Sequence, residues 1–157
     1  MTLDLISVAH SPEKTAEMLD GTSWAKDFSW AQLQVLGQYF KPYQIAQGGH
    51  LFDEGDPAGA MGLIVRGSIA IYKQDKLLAR LSAGRTYGEM SLIDNEPRSA
   101  RAIAEQDSDL LVIDKAAFRK LAHDNPKLGF LLLWKIAYFL SQSLRRTTSQ
   151  LMDALEQ

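Results

Sequence analysis

The sequence predicts a mostly β fold with flanking helices. The form expected is an antiparallel β-roll or jelly roll (a double-stranded β-helix), with short N-terminal helices and a long C-terminal helix. Three observations predict it. From Tyr43 to about Ile113, apolar runs of four to six residues alternate with turn signals. On both sides of that stretch, apolar residues recur at helical spacing. The last part of the chain, from Lys127 to about Leu155, then reads as one long helix.

The elements follow in order. Ser11-Pro12-Glu13 reads as a helix start, with proline in the first turn and an acid at the positive end of the dipole. That helix is expected to run to about Leu19 and stop at Asp20-Gly21. Ser29 opens a second helix, in which Trp30, Leu33, Leu36 and Tyr39–Phe40 share a face and Pro42 is the expected stop. Leu63-Ile64-Val65 and Ile69-Ala70-Ile71-Tyr72 are the clearest strands, bracketing a tight-turn candidate at Arg66-Gly67-Ser68. Leu77–Leu81 is expected to pair back on Ile69–Tyr72 through a turn at Gln74-Asp75. Many short strands at near-regular spacing argue for a closed roll, which removes exposed edges and leaves room for a small ligand.

After Ile113 the period becomes helical. Asp114 is a good N-cap, and Phe118 and Leu121 point inward from Lys115–His123. Asp124-Asn125-Pro126 breaks and restarts the helix. Residues 127–155 then form one helix of about 43 Å at 1.5 Å per residue. We divide the chain into an N-terminal helical extension at 1–28 and a domain at 29–157. The roll occupies about 43–113 and the C-terminal helices 115–157.

Composition narrows the function. A length of 157 residues suits one core, and 46% hydrophobic residues is ordinary for a folded protein. A formal net charge of −2 gives no basic field for nucleic acid. There is no cysteine, hence no disulfide, thiolate metal site or cysteine nucleophile. His10, His50 and His123 are far apart, so the clustered histidines of a metal-binding barrel are missing, and no metal is expected. No P-loop or nucleophile elbow occurs, no catalytic residue is assigned, and an enzyme is not expected. The opening Met1-Thr2-Leu3-Asp4-Leu5-Ile6 lacks the flanks of a secretory signal, and Leu128–Leu140 is too short to span a bilayer. A cytoplasmic protein without membrane contact is the expectation.

The chemistry concentrates in Tyr87-Gly88-Glu89-Met90-Ser91-Leu92-Ile93-Asp94-Asn95-Glu96-Pro97-Arg98-Ser99-Ala100. Arg98 supplies a planar, permanent cation whose fork matches two phosphate oxygens. Glu89, nine residues earlier, accepts a hydrogen bond from a hydroxyl and repels a phosphate. Gly88 allows close backbone approach or a positive φ. Met90–Ile93 is one helical turn, whose unpaired N–H groups would point at an anion. The bland alternative is a surface loop with a capping Glu and a solvated Arg.

This stretch resembles the phosphate-binding cassette of cyclic nucleotide-binding domains, the family of catabolite activator proteins and cyclic-AMP-dependent kinase regulatory subunits. The Glu-to-Arg gap is similar to the kinase-subunit spacing; the bacterial activators can have one more residue there. The glycine-flanked run Gly49-His50-Leu51-Phe52-Asp53-Glu54-Gly55-Asp56 and the strand-glycine-strand run Leu63–Ile69 add to the resemblance, which covers roughly Trp30 to Leu151. The resemblance implies a cyclic nucleotide (cAMP or cGMP) as effector ligand, with no catalytic cofactor. It places ligand binding at Gly88, Glu89, Met90, Ser91, Arg98, Ser99 and Ala100. Gly88 and Glu89 would hold the ribose 2′-hydroxyl, and Arg98 the cyclic phosphate.

The last helix carries a heptad seam at Leu140, Leu144, Thr147, Leu151 and Ala154. We expect a homodimer through this C-terminal helix, as the resemblance implies. Leu133, Trp134, Ile136 and Phe139 are expected to pack on the roll instead. The resemblance also makes Ser143, Thr147, Arg145 and Arg146 candidates for covering the ligand. Nothing follows Gln157 in this sequence, so a helix-turn-helix is not seen and DNA is not an expected partner; the downstream effector protein is unknown. The leading expectation is a cyclic nucleotide sensor that signals through its last helix. The alternative is a nucleotide-independent interaction or dimerisation module on the same fold.

Overall fold

The computed structural model describes residues 4–157. The first three residues, on which part of the reading of the N-terminus falls, lie outside the described residues. Residues 4–118 and 119–157 form two compact units.

In the first unit, strand β1 (Ile6–Ser7) precedes helix α1 (Pro12–Asp20). The Ser11 side chain accepts from the Lys14 amide at 3.1 Å, and Gly21 ends the helix. A 3-10 turn (Ser23–Asp27) leads to helix α2 (Trp30–Leu36). Ser29 and Gln32 cap α2 reciprocally, at 2.9 and 3.2 Å. This helix stops earlier than Pro42: Gly37 already caps it, and Pro42 lies in a strand opposite Leu111. Gly37 is required there, because a β-carbon would overlap the Pro12 carbonyl of α1. Ala16, Leu19, Leu33 and Leu36 are fully buried on these helices.

The remaining strands are β2 (Lys41–Ile45), β3 (His50–Phe52), β4 (Ala60–Arg66), β5 (Ser68–Lys73), β6 (Lys76–Ser82), β7 (Thr86–Tyr87), β8 (Arg101–Ala104) and β9 (Ser108–Asp114). They form two antiparallel sheets, β1-β2-β9-β4-β7 and β3-β8-β5-β6. The β5–β6 hairpin turns at Gln74 and Asp75, both with positive φ, as a two-residue loop requires. The Gly67 position differs from a hairpin turn. β4 and β5 belong to different sheets, so Gly67 (φ +105°) is a corner where the chain changes sheet. A β-carbon there would overlap the Ser108 hydroxyl.

Ile45, Leu51, Ile64, Ile69, Tyr87, Ala102, Ala104 and Leu110 form the roll's core cluster, drawn from both sheets. Edge strand β6 is exposed at nearly every residue, and Lys76 and Arg80 charge it against further pairing.

Helix α4 (Lys115–Asp124) starts where the Asp114 carboxylate accepts from the Ala117 amide at 2.7 Å. Helix α5 (Pro126–Leu155) starts behind Asn125, whose side chain accepts from the Leu128 amide at 3.2 Å. In the second unit, Gly129 lets α5 approach α4: a β-carbon would lie 2.7 Å from the Ala122 Cα. On α5, Leu128, Leu132 and Ile136 are buried at four-residue spacing. Leu133 and Trp134, expected to be covered, are 42% and 66% exposed. They stand one and two residues past Leu132, which turns them roughly 100° to 200° from the buried line. No helix of the described residues is long and apolar enough to cross a membrane.

Candidate functional site

The site is built at the end of β7. Tyr87 is buried, and its ring packs on Gly62 of β4, where a β-carbon would overlap it. Gly88 follows in the left-handed region (φ +76°), turning the chain into helix α3 (Glu89–Asp94). Asn95, also left-handed at φ +64°, ends α3. The chain then returns through Pro97 and Arg98 to β8.

Arg98 is anchored twice. Its backbone pairs with the β3–β4 loop: the Gly55 amide donates to the Arg98 carbonyl at 2.8 Å, and the Arg98 amide to the Asp56 carbonyl at 2.9 Å. Its side chain turns under α3. Nη1 donates to Ser91 Oγ at 2.7 Å and Nη2 to the Ala60 carbonyl at 2.9 Å. The guanidinium carbon sits 4.2 Å from the centroid of the Phe52 ring, a cation–π contact. Nε is buried and has no partner among the described residues. A β-carbon at Gly88 would overlap Nη1, so glycine is needed for the guanidinium to lie there as well as for the turn.

These groups border a cavity of about 350 Å³ inside the first unit. Leu5, Tyr43, Phe52, Tyr87 and Val112 give it apolar walls, and Asp56 and Arg98 give it charge. Burial lowers the pKa of Arg98, while the negative charges of Asp56 and Glu89 oppose the shift; the guanidinium keeps its charge at neutral pH. The Asp56 carboxyl is held below its ordinary value, first by the hydrogen bond from the Asp53 amide at 2.9 Å. Burial raises the Tyr87 hydroxyl far above its ordinary value. A planar cation beside an apolar chamber suits a small monoanion with an apolar part, while the Asp56 carboxylate on the same wall accepts from a donor group and repels an anion.

The structure brings Gly88, Ser91 and Arg98 into direct contact. Glu89 is close enough to influence Arg98 electrostatically, but its carboxylate accepts from the Thr86 hydroxyl, and the cavity wall is made without it. Met90 is 56% exposed on α3. Ser99 is exposed, with its carbonyl accepting from Lys73 Nζ at 2.8 Å; Ala100 is partly buried. Sequence reasoning missed Phe52, Tyr87 and the Ala60 carbonyl as parts of the site. Phe52 and Tyr87 stand in or beside motifs whose apolar residues signal fold, and nothing local marks them as ligand walls. A backbone carbonyl such as that of Ala60 carries no sequence signal.

A family model of the cyclic nucleotide-binding domain matches residues 43–125. The chain is 31% identical to the cyclic AMP receptor protein of Thermus thermophilus, over 76% of this chain and 56% of that protein. It is 25% identical to a cAMP-dependent protein kinase regulatory subunit of Eremothecium gossypii, over 69% of this chain and 25% of that one. The chain thus spans about half the length of the bacterial relative and a quarter of the fungal one. Among solved structures, it is similar to a cyclic nucleotide-binding domain from Methylobacillus flagellatus, with a TM-score of 0.81, 28% identity, and coverage of 96% of this chain and 89% of that one. It is also similar to the catabolite activator protein of Thermus thermophilus, with a TM-score of 0.74, 28% identity, and coverage of 85% and 62%. The chain belongs to the cyclic nucleotide-binding domain family.

Proposed function

We propose that this chain is a cytoplasmic cyclic nucleotide sensor, a regulatory module rather than a catalyst. Its ligand is a cyclic nucleotide of the cyclic AMP or cyclic GMP type. The observation that carries the reading is the placement of the Arg98 guanidinium over Phe52 at the wall of an apolar cavity. In this reading Arg98 takes the cyclic phosphate, Glu89 takes the ribose 2′-hydroxyl, and apolar walls take the base. Gly88, Met90, Ser91, Ser99 and Ala100 complete the cassette around them. Family membership and the relatives named for cyclic AMP support the choice of ligand.

Output in this reading leaves through α5, as a homodimer and toward an effector protein. Phe130, Trp134, Leu144, Leu151 and Leu155 are all exposed. With Ala137, Ser141 and Thr148 they step by four and three along one line of the helix, the spacing of a coiled-coil seam. This line shares Leu144 and Leu151 with the seam expected from sequence. A ligand shifts such an element only by its difference in affinity between two states. Hydrogen exchange on residues 126–155 is expected to change on saturation with ligand.

Calorimetry with cyclic AMP and cyclic GMP tests the reading. Arg98→Ala is expected to weaken binding about tenfold to a hundredfold, as loss of a hydrogen bond to a charged group costs about 1.5–3 kcal/mol. Arg98→Lys is also expected to weaken it, since a point charge does not reproduce the fork. Tight binding unchanged by Arg98→Ala places the anion elsewhere. No binding by a folded dimer leaves the interaction-module reading.

A further inference from the structure

Building on the reading of Arg98 as the anion-binding group, we propose that Ser91 is a positioning residue whose single hydroxyl sets the direction of the Arg98 fork. Ser91 is buried in the first turn of α3. Its Oγ lies 2.9 Å from the Gly88 carbonyl and 3.3 Å from the Ala60 carbonyl. Both carbonyls are acceptors only, so the one hydroxyl proton goes to one of them, and the Gly88 carbonyl is the nearer. A lone pair of Oγ then receives Arg98 Nη1 at 2.7 Å. The polarity of the relay is fixed: Arg98 donates to Ser91, and Ser91 donates to backbone.

The relay decides what the guanidinium has left to offer. It carries five N–H groups in a rigid plane. One on Nη1 is given to Ser91 and one on Nη2 to the Ala60 carbonyl. The guanidinium carbon lies over the Phe52 ring. Three N–H groups remain, among them the buried Nε–H that has no acceptor among the described residues. Holding Nη1 and Nη2 at separate acceptors fixes rotation of the whole fork. An anion therefore meets donors whose direction is preset, and less rotamer freedom is lost on binding. With alanine at position 91, only the Ala60 carbonyl would hold the fork, and Nη1 would lose its acceptor at a buried site.

Two measurements on the full chain test this. In nitrogen-15 NMR of the protein without added nucleotide, the Arg98 Nε–H signal is assigned by its loss in Arg98→Lys. It is expected to be sharp and slowly exchanging in the original chain, and broadened or lost in Ser91→Ala. Ser91→Cys, with a poor acceptor of similar size, is expected to behave like Ser91→Ala. In cyclic AMP titrations, Ser91→Ala is expected to lower affinity about threefold to tenfold, the worth of one side chain's ordering. The same change made on Arg98→Ala is expected to alter affinity less than about twofold, because the fork it orders is gone. An Arg98 signal indifferent to both Ser91 variants overturns the positioning role. So do losses that multiply in the double variant, which would make Ser91 act independently of Arg98. If the chain binds no cyclic nucleotide and the Arg98 signal still depends on Ser91, the positioning role stands and the ligand reading fails.

Discussion

Gly88 and Arg98 are packed so closely that a β-carbon at position 88 would overlap Nη1 of the guanidinium. The same β-carbon would lie 2.9 Å from the Ala60 carbonyl, the acceptor of Nη2. One glycine therefore serves two needs, a left-handed turn at φ +76° and room for the cation.

Gly88→Ala is accordingly expected to act on stability and binding together. The left-handed conformation costs a side-chain-bearing residue about 1–2 kcal/mol. Displacement of Arg98 adds a loss of cyclic nucleotide affinity of about tenfold or more, since a hydrogen bond to a charged group is at stake. Denaturant unfolding and calorimetry measure the two effects. Asn95→Gly, at the other left-handed position flanking α3, is the contrasting variant, expected to leave affinity unchanged. Undiminished affinity in Gly88→Ala would show that the guanidinium does not depend on this space.

Glu89→Gln is expected to erase a preference rather than binding itself. In the proposed arrangement the carboxylate accepts from a ribose hydroxyl. The original chain should then bind cyclic AMP more tightly than its 2′-deoxy analogue, by about tenfold or more for a hydrogen bond to a charged group. The variant should discriminate less. Equal discrimination in both proteins argues that Glu89 serves only Thr86, its partner in the structure.

Tyr87 gives an alkaline signature. Burial raises its folded-state pKa above the ordinary value of 10.0. A raised folded-state pKa contributes stability that is fully present below the unfolded value and is lost as pH rises above it. Stability is therefore expected to decline from about pH 10 upward. Of the five tyrosines, Tyr87 should fail to ionise while the protein stays folded. Ultraviolet titration of the original chain against Tyr87→Phe reads this directly. A full complement of tyrosinate in the folded protein would contradict the burial.

The exposed line on α5 predicts oligomeric state. Leu144 and Leu151 are 68% and 58% exposed, seven residues apart. Leu144→Asp combined with Leu151→Asp is expected to convert a dimer to a monomer, with little change in thermal midpoint at the roll. Light scattering after size exclusion measures it. A monomeric original chain would remove the proposed seam.

Local features were legible in the sequence where they depend on local chemistry. Ser11, Ser29, Asp114 and Asn125 cap helices because a short polar side chain reaches an amide three residues on. The Gln74-Asp75 hairpin turn is legible because a polar pair separates two apolar runs, and both residues take the positive φ of such a loop. The end of α2 is not legible, because Pro42 is the louder signal in the sequence. The actual stop, Gly37, is dictated by contact with Pro12 of another helix. Periodicity fails at Leu133 and Trp134 of α5, which stay exposed. Spacing shows that a helix has an apolar face, and it does not say which of two apolar faces is covered.

By itself the sequence determined the roll with its flanking helices, because alternating short apolar runs and turn residues leave few ways to bury a core. It also determined that Gly88, Glu89 and Arg98 belong to one segment. Tertiary structure alone decided what surrounds the cation. Phe52 comes from β3, Ala60 from β4 and Ser91 from α3, and only the closing of the roll sets them within reach of one guanidinium. The physical reason is range: caps and turns are settled within four residues, whereas a hydrogen bond from Arg98 to the Ala60 carbonyl spans 38 positions and needs the whole sheet in place.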